Sequence, residues 1–160
     1  MKDWNVLKNR KIIDLIIGDS IIKDDFVFQY KMPYMSVNNI LEFSKKLGKE
    51  DFSGEKLSRW MYMSELLEYT IEKNIMNLFF KELFNLRRFR NINLPNDSFY
   101  NANMVYWEIL HGFFNKVNEE LFYDKCRIEY DTKTWDISLI DEEKLYKLFG
   151  INAELLIDHS

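Results

Sequence analysis

The chain has 160 residues and a mass of 19.5 kDa, which suits one domain. It is 47% hydrophobic and 16% aromatic, with only two prolines and five glycines, which excludes wholesale disorder and collagen-like or linker-rich chains. A net charge of -4 argues against a generally basic nucleic-acid binder, and the single cysteine, Cys126, excludes an internal disulfide and a multi-cysteine zinc site.

In chain order, Asp3 is placed to cap a first helix running to about Ile17, with Gly18 as its stop. Asp14 interrupts the apolar stretch Ile12–Ile17, so this start reads as an amphipathic helix rather than an export signal. Phe26, Phe28 and Tyr30 alternate with Val27 and Gln29, which predicts a short strand that Pro33 confines to an edge or ends. Ser36 is the N-cap of a helix with Val37, Ile40, Leu41, Ser44 and Leu47 on one face, ended by Gly48. Ser53 is expected to open the next helix, in which Leu57, Trp60, Met61, Ser64, Leu67 and Ile71 keep helical spacing. Asn74 marks a break. Ile75, Leu78, Phe79, Glu82, Leu83 and Leu86 then continue as a helix with a broad apolar face, and residues 87–97 form a loop. Ser98 is expected to cap the clearest helix, whose stripe runs from Ala102 through Val105, Tyr106, Ile109, Leu110, Phe113 and Val117 to Leu121.

The period then changes to two. Cys126, Ile128 and Tyr130, a polar turn Asp131–Thr134, and Trp135, Ile137 and Leu139 predict a β-hairpin. A two-stranded hairpin is marginal alone. It must lay its apolar face on the helices or pair with the strand near Phe26. Asp141 caps a short helix ended by Gly150, and Asn152 opens a last turn. The fold class is α+β, predominantly α: a bundle of about five or six helices with a C-terminal β-hairpin and a short terminal helix. One domain spans 1–160, with a helical body over about 1–123 and the hairpin and terminal helix over about 124–160. Charge is uneven along it. Residues 117–160 carry 11 acids and five bases, whereas residues 1–116 carry 15 acids and 17 bases.

Tests for chemistry return bland readings. Glu108 and His111 make a single Glu-x-x-His pair, where a bundle di-metal site needs two pairs and two more carboxylates. The Arg-x4–6-His motif of HEPN nucleases is missing, since positions 105–107 hold Val, Tyr and Trp. Glu129, Asp131 and Lys133 resemble half of a Mg²⁺ nuclease motif, but turn chemistry alone explains Asp131. Cys126 reads as an inert buried thiol. No nucleotide-loop, nucleophile-elbow or HExxH motif occurs. No catalytic residue, metal site or cofactor is therefore assigned.

Two surface readings remain. Arg87, Arg88 and Arg90, with Lys81, form one basic cluster. They either complement the end of the preceding helix or, as the alternative, bind nucleic-acid phosphates, with Phe89 and Tyr100 as stacking surfaces. The 13 Phe, nine Tyr and four Trp exceed what one small core easily hides. Trp4, Tyr62, Tyr69, Phe114 and Tyr123 fall off the main stripes. Either the helices pack on two faces or these residues belong to an interface.

The stretch KLSRWMYMSELLEYTIEKNIMNLFFKELFNLRRF, followed by WEILHGFFNKVNEELFYDKCRIEYD, resembles helical modules of bacterial abortive-infection proteins. The likeness covers residues 56–131 and is one of texture: paired amphipathic helices, a basic loop, a long helix and a hairpin. It carries over no functional residue. It implies a sensor or interaction role in phage defence, and the richness in Lys, Ile, Asn, Phe and Tyr fits an AT-rich bacterial or phage genome. The expected function is non-enzymatic protein–protein interaction or regulation in the cytoplasm, with a protein partner or a homodimer and no membrane association. Nucleic-acid binding through Arg87, Arg88 and Arg90 is the alternative, and a Mg²⁺ nuclease is third.

Overall fold

The computed structural model describes residues 3–94 and 101–148. Six α-helices and two antiparallel strand pairs lie among them, so the chain is α+β and predominantly helical, with a C-terminal hairpin and a short helix after it.

The expected first helix divides in two. Asp3 does accept the Asn5 N–H at 2.9 Å, but the turn it caps is a 3-10 helix, Trp4–Lys8. Asn9 is extended, and its side chain takes the Lys11 N–H to open α1 (Arg10–Ile16). A short amide side chain offers the backbone this alternative to continuous helix. Gly18 then stands at φ 86, where an added Cβ would lie 2.7 Å from the Met32 carbonyl oxygen. Only glycine lets the returning segment pass so close.

That segment is a small hairpin, β1 (Lys23–Asp24) with β2 (Gln29–Tyr30). Phe26 is at its tip rather than in a strand: φ is 75 and the ring is wholly exposed. The Asp24 and Asp25 carboxylates accept the N–H groups of Phe26, Val27 and Phe28, which favours the turn over further pairing.

Helix α2 (Val37–Lys46) follows expectation, with a reciprocal cap between Ser36 and Asn39 and Gly48 at φ 94 beyond its end. Helix α3 (Arg59–Glu72) starts later than expected. Ser58 is its cap, while Ser53 donates its N–H and hydroxyl to the Glu65 carboxylate at 2.9 and 2.6 Å. After Asn74, at φ 56, comes α4 (Met76–Leu83), which ends short of Leu86, and then a 3-10 helix, Leu86–Phe89, that runs into the stretch expected to be loop. Helix α5 (Ala102–Leu121) is capped by Asn101, which accepts the Met104 N–H at 2.9 Å, and not by Ser98. Ser98, Gly150 and Asn152 lie outside the described residues.

The C-terminal hairpin pairs β3 (Cys126–Tyr130) with β4 (Ile137–Asp141) in the register Ile128 to Leu139. Trp135 was expected to open the second strand but sits in the turn at φ 57. Asp141 accepts the Lys144 N–H at 3.0 Å and starts α6 (Glu142–Leu148), as its sequence predicts. The hairpin does not join β1 and β2. It lies on α5, where the Asn118 amide bridges both backbone groups of Ile128, accepting its N–H at 2.7 Å and donating to its carbonyl at 3.1 Å.

Helix α5 is therefore covered on two sides. Phe113 packs edge-on against Phe84, while Phe114 stacks on Tyr130 of the hairpin at 3.9 Å. Phe114 is fully buried, and Tyr62 nearly so, with its hydroxyl on the Glu55 carbonyl at 2.9 Å and its ring edge-on to Phe52. Both residues leave the list of interface candidates: their helices pack on two faces, which is where these off-stripe aromatics go. The buried residues form one cluster from Leu7 to Ile128. No helix among the described residues is long and apolar enough to cross a membrane.

Candidate functional site

Of the remaining residues singled out from sequence, Trp4 is half-buried, 6.4 Å from the Phe80 ring. Tyr69 is half-buried with the Lys49 and Lys73 ammonium groups over its ring at 5.6 and 6.0 Å. Tyr123 is exposed beside Phe122 at the C-terminal end of α5. Phe89 is buried and cannot stack on a base, and Tyr100 lies outside the described residues.

The structure draws attention elsewhere, to one face where α2, α4, the 3-10 helix and α5 meet. Lys46 of α2 and Glu82 of α4 form an ion pair at 3.2 Å. A depression opens on either side of it, and both residues line both depressions.

The first is an apolar groove of about 560 Å³. Its floor is built by Phe84, Tyr106 and Trp135. The Trp135 ring stacks on Phe84 at 5.8 Å and 9°, which the left-handed backbone at Trp135 makes reachable from the hairpin turn. Tyr106 is held by donating its hydroxyl to the Phe84 carbonyl at 2.6 Å, and burial pushes that phenol above its ordinary pKa. Leu78 of α4, Leu86 of the 3-10 helix and Trp107 of α5 flank the floor, exposed at 46, 67 and 39%. Lys81 stands on the rim and makes no ion pair among the described residues.

The second depression is a polar cleft of about 710 Å³. Four cations line it, Lys31, Lys46, Arg87 and Arg88, against two carboxylates, Glu42 and Glu82. Arg88 is the fixed member. One guanidinium N–H donates to the Leu83 carbonyl at the end of α4, and the group lies 5.5 Å from the centre of the Phe43 ring. The helix-end role expected of the arginine cluster therefore falls to Arg88. Arg87 is exposed and also lines the cleft, whereas Arg90 is exposed and does not. Desolvation brings the Arg88 pKa down to about 10, with nearby Glu82 acting the other way, so the group stays cationic at neutral pH.

The side chains tested for chemistry are engaged in structure. His111 Nδ1 is 2.7 Å from the Tyr130 hydroxyl, and its ring stacks on Trp107. Glu108 pairs with Lys23 at 3.2 Å. The Cys126 thiol is buried and points at the Leu121 carbonyl at 3.8 Å. Asp131 accepts the Lys133 and Thr134 N–H groups, the turn geometry expected of it, and Glu129 pairs with Arg127. Among the described residues, no three His, Cys, Asp or Glu side chains are grouped to hold a metal ion.

Sequence reasoning missed the groove because its residues come from four separated segments. Two signals were present. Trp107 falls outside the α5 stripe, and Leu78 and Leu86 belong to an apolar face broader than the core of α4 requires. No match to this chain is found among protein-family models, curated proteins or solved structures.

Proposed function

We propose that this protein is a binding module whose groove over Phe84, Tyr106 and Trp135 receives an amphipathic segment of another protein. The segment is apolar where it enters and carries a carboxylate at its edge. One observation supports this reading above the rest: Leu78, Leu86 and Trp107, from three elements, converge on a single concavity with an aromatic floor. Singly scattered exposed apolar side chains need no explanation, but a contiguous set around a groove marks an interaction site. Tryptophan at such a rim buries large area with little rotamer entropy lost, and the leucines add apolar area. Lys81, which makes no ion pair among the described residues, supplies the complement for the partner's acid. Phe122 and Tyr123 offer no comparable concavity; their rings meet each other edge-on at 5.8 Å.

This is a reading of binding without turnover. His111, Cys126, Glu129 and Asp131 already have structural partners. In the setting the abortive-infection resemblance implies, the module acts as a regulatory partner in a bacterial or phage conflict system.

The test is affinity capture from a bacterial lysate with wild type, Leu86→Lys and Trp107→Ala, each with and without nuclease. The expected result is a discrete protein that survives nuclease and is lost with either variant. Equal capture by all three proteins, or loss on nuclease treatment, would contradict the reading.

A further inference from the structure

Arg88 is a desolvated cation without a carboxylate contact among the described residues. Glu82, the acid nearest in electrostatic terms, is spent on Lys46. A guanidinium carries five N–H donors, and only one finds an acceptor here. No buried side-chain nitrogen or oxygen among the described residues lacks a hydrogen-bond partner, so the Arg88 nitrogens that make no such bond are reached by solvent, and the residue lines the cleft. The Leu83 carbonyl and the Phe43 ring hold that fork in place, which removes the entropy cost of positioning it for a ligand.

Besides the carboxylates Glu42 and Glu82, of which Glu82 is paired with Lys46, the cleft supplies three kinds of group around it. Arg87, Lys31 and Lys46 add positive charge in a chain whose net charge is negative. Gln29, Asn91 and Asn93 add amides, each both donor and acceptor. Phe28 and Tyr34 add aromatic rings, and Tyr34 is 63% exposed although the Arg59 guanidinium covers it at 4.0 Å. Planar bidentate donors suit phosphate oxygens. Amides read the edge of a heterocyclic base, and aromatic rings stack on its face. A volume of about 710 Å³ is large enough to seat a small molecule.

We propose that this cleft is a binding site for a mononucleotide, with its phosphate on Arg88 and Arg87 and its base among Tyr34, Phe28 and the amides. The volume of the cleft and the acidic character of the whole chain favour a small phosphate ester over a nucleic-acid strand. The site does not depend on what occupies the apolar groove.

Isothermal titration calorimetry at low salt tests it, with AMP, inorganic phosphate, adenosine and a single-stranded RNA dodecamer as probes. AMP should bind with a Kd below about 1 mM, inorganic phosphate more weakly, and adenosine without measurable heat. Arg87→Met and Arg88→Met should each weaken AMP about tenfold, the loss of one charge-assisted hydrogen bond. Arg90→Met should bind like wild type, because Arg90 does not line the cleft. Arg87 is exposed, so its variant keeps the test decisive even if Arg88→Met fails to fold. No saturable binding of AMP, equal weakening by Arg90→Met, or RNA binding more than about a hundredfold tighter than AMP would overturn the proposal.

Discussion

Two arginines, Arg59 and Arg88, hold two corners of this protein in different ways. Arg59 at the start of α3 makes four hydrogen bonds. Its guanidinium donates to the Met35 carbonyl at 2.6 Å, the Ile17 carbonyl at 3.0 Å and both oxygens of Asp19 at 2.9 and 3.0 Å. It ties α1 and the segment after β2 to the helical body. Among the described residues Arg88 makes one such bond and meets no carboxylate. A half-buried cation with most of its donors and its charge partnered is a structural fastening, whereas one left short of acceptors beside an open cleft is available to a ligand. Residue type is identical at the two corners; the number of donors with acceptors, the carboxylate partner and the desolvation of Arg88 separate them.

The comparison can be broken most severely from the backbone. Gly18 follows the Ile17 carbonyl that Arg59 grips and also lines the cleft beside Arg88. Gly18→Ala should cost about 3 kcal/mol in urea unfolding, because φ is positive and the new Cβ meets the Met32 oxygen at 2.7 Å. Arg59→Met should cost about 2–3 kcal/mol by the same measurement, since two carbonyls and Asp19 lose their donor. By contrast, Arg88→Met should change stability by no more than about 1 kcal/mol, the lost Leu83 bond being offset by relief of desolvation. If Arg88→Met destabilised as much as Arg59→Met, the two corners would be alike and Arg88 merely structural. Smallest of all, Leu86→Lys should stay within about 0.5 kcal/mol of wild type, because that side chain is 67% exposed.

The same accounting explains what the sequence could reveal. Local signals were legible: the Ser36 cap and Gly48 stop of α2, the apolar stripe of α5, the change of period at Cys126 and the turn role of Asp131. Competing side-chain bonds hid element starts, as Asn9 split the first helix and Ser58 displaced Ser53. Tyr62 and Phe114 looked surplus because periodicity assumes one buried face, and the hairpin covers the second face of α5. The candidate site was largely hidden. Its groove joins Leu78, Leu86, Trp107 and Trp135 across long stretches of chain, and its cleft joins Lys31 to Arg87 and Arg88. Only the basic cluster itself was visible beforehand, and sequence could not say which of its arginines would face inward.

The claim that the groove face is where this protein meets its partner is tested most directly by photo-crosslinking in bacterial cells. A photoreactive residue is placed at Leu86, on the groove, or at Phe122, which is 74% exposed and away from it. The groove reading predicts a discrete protein adduct from position 86 and none from position 122. An adduct from position 122 alone, or from neither position, would contradict it.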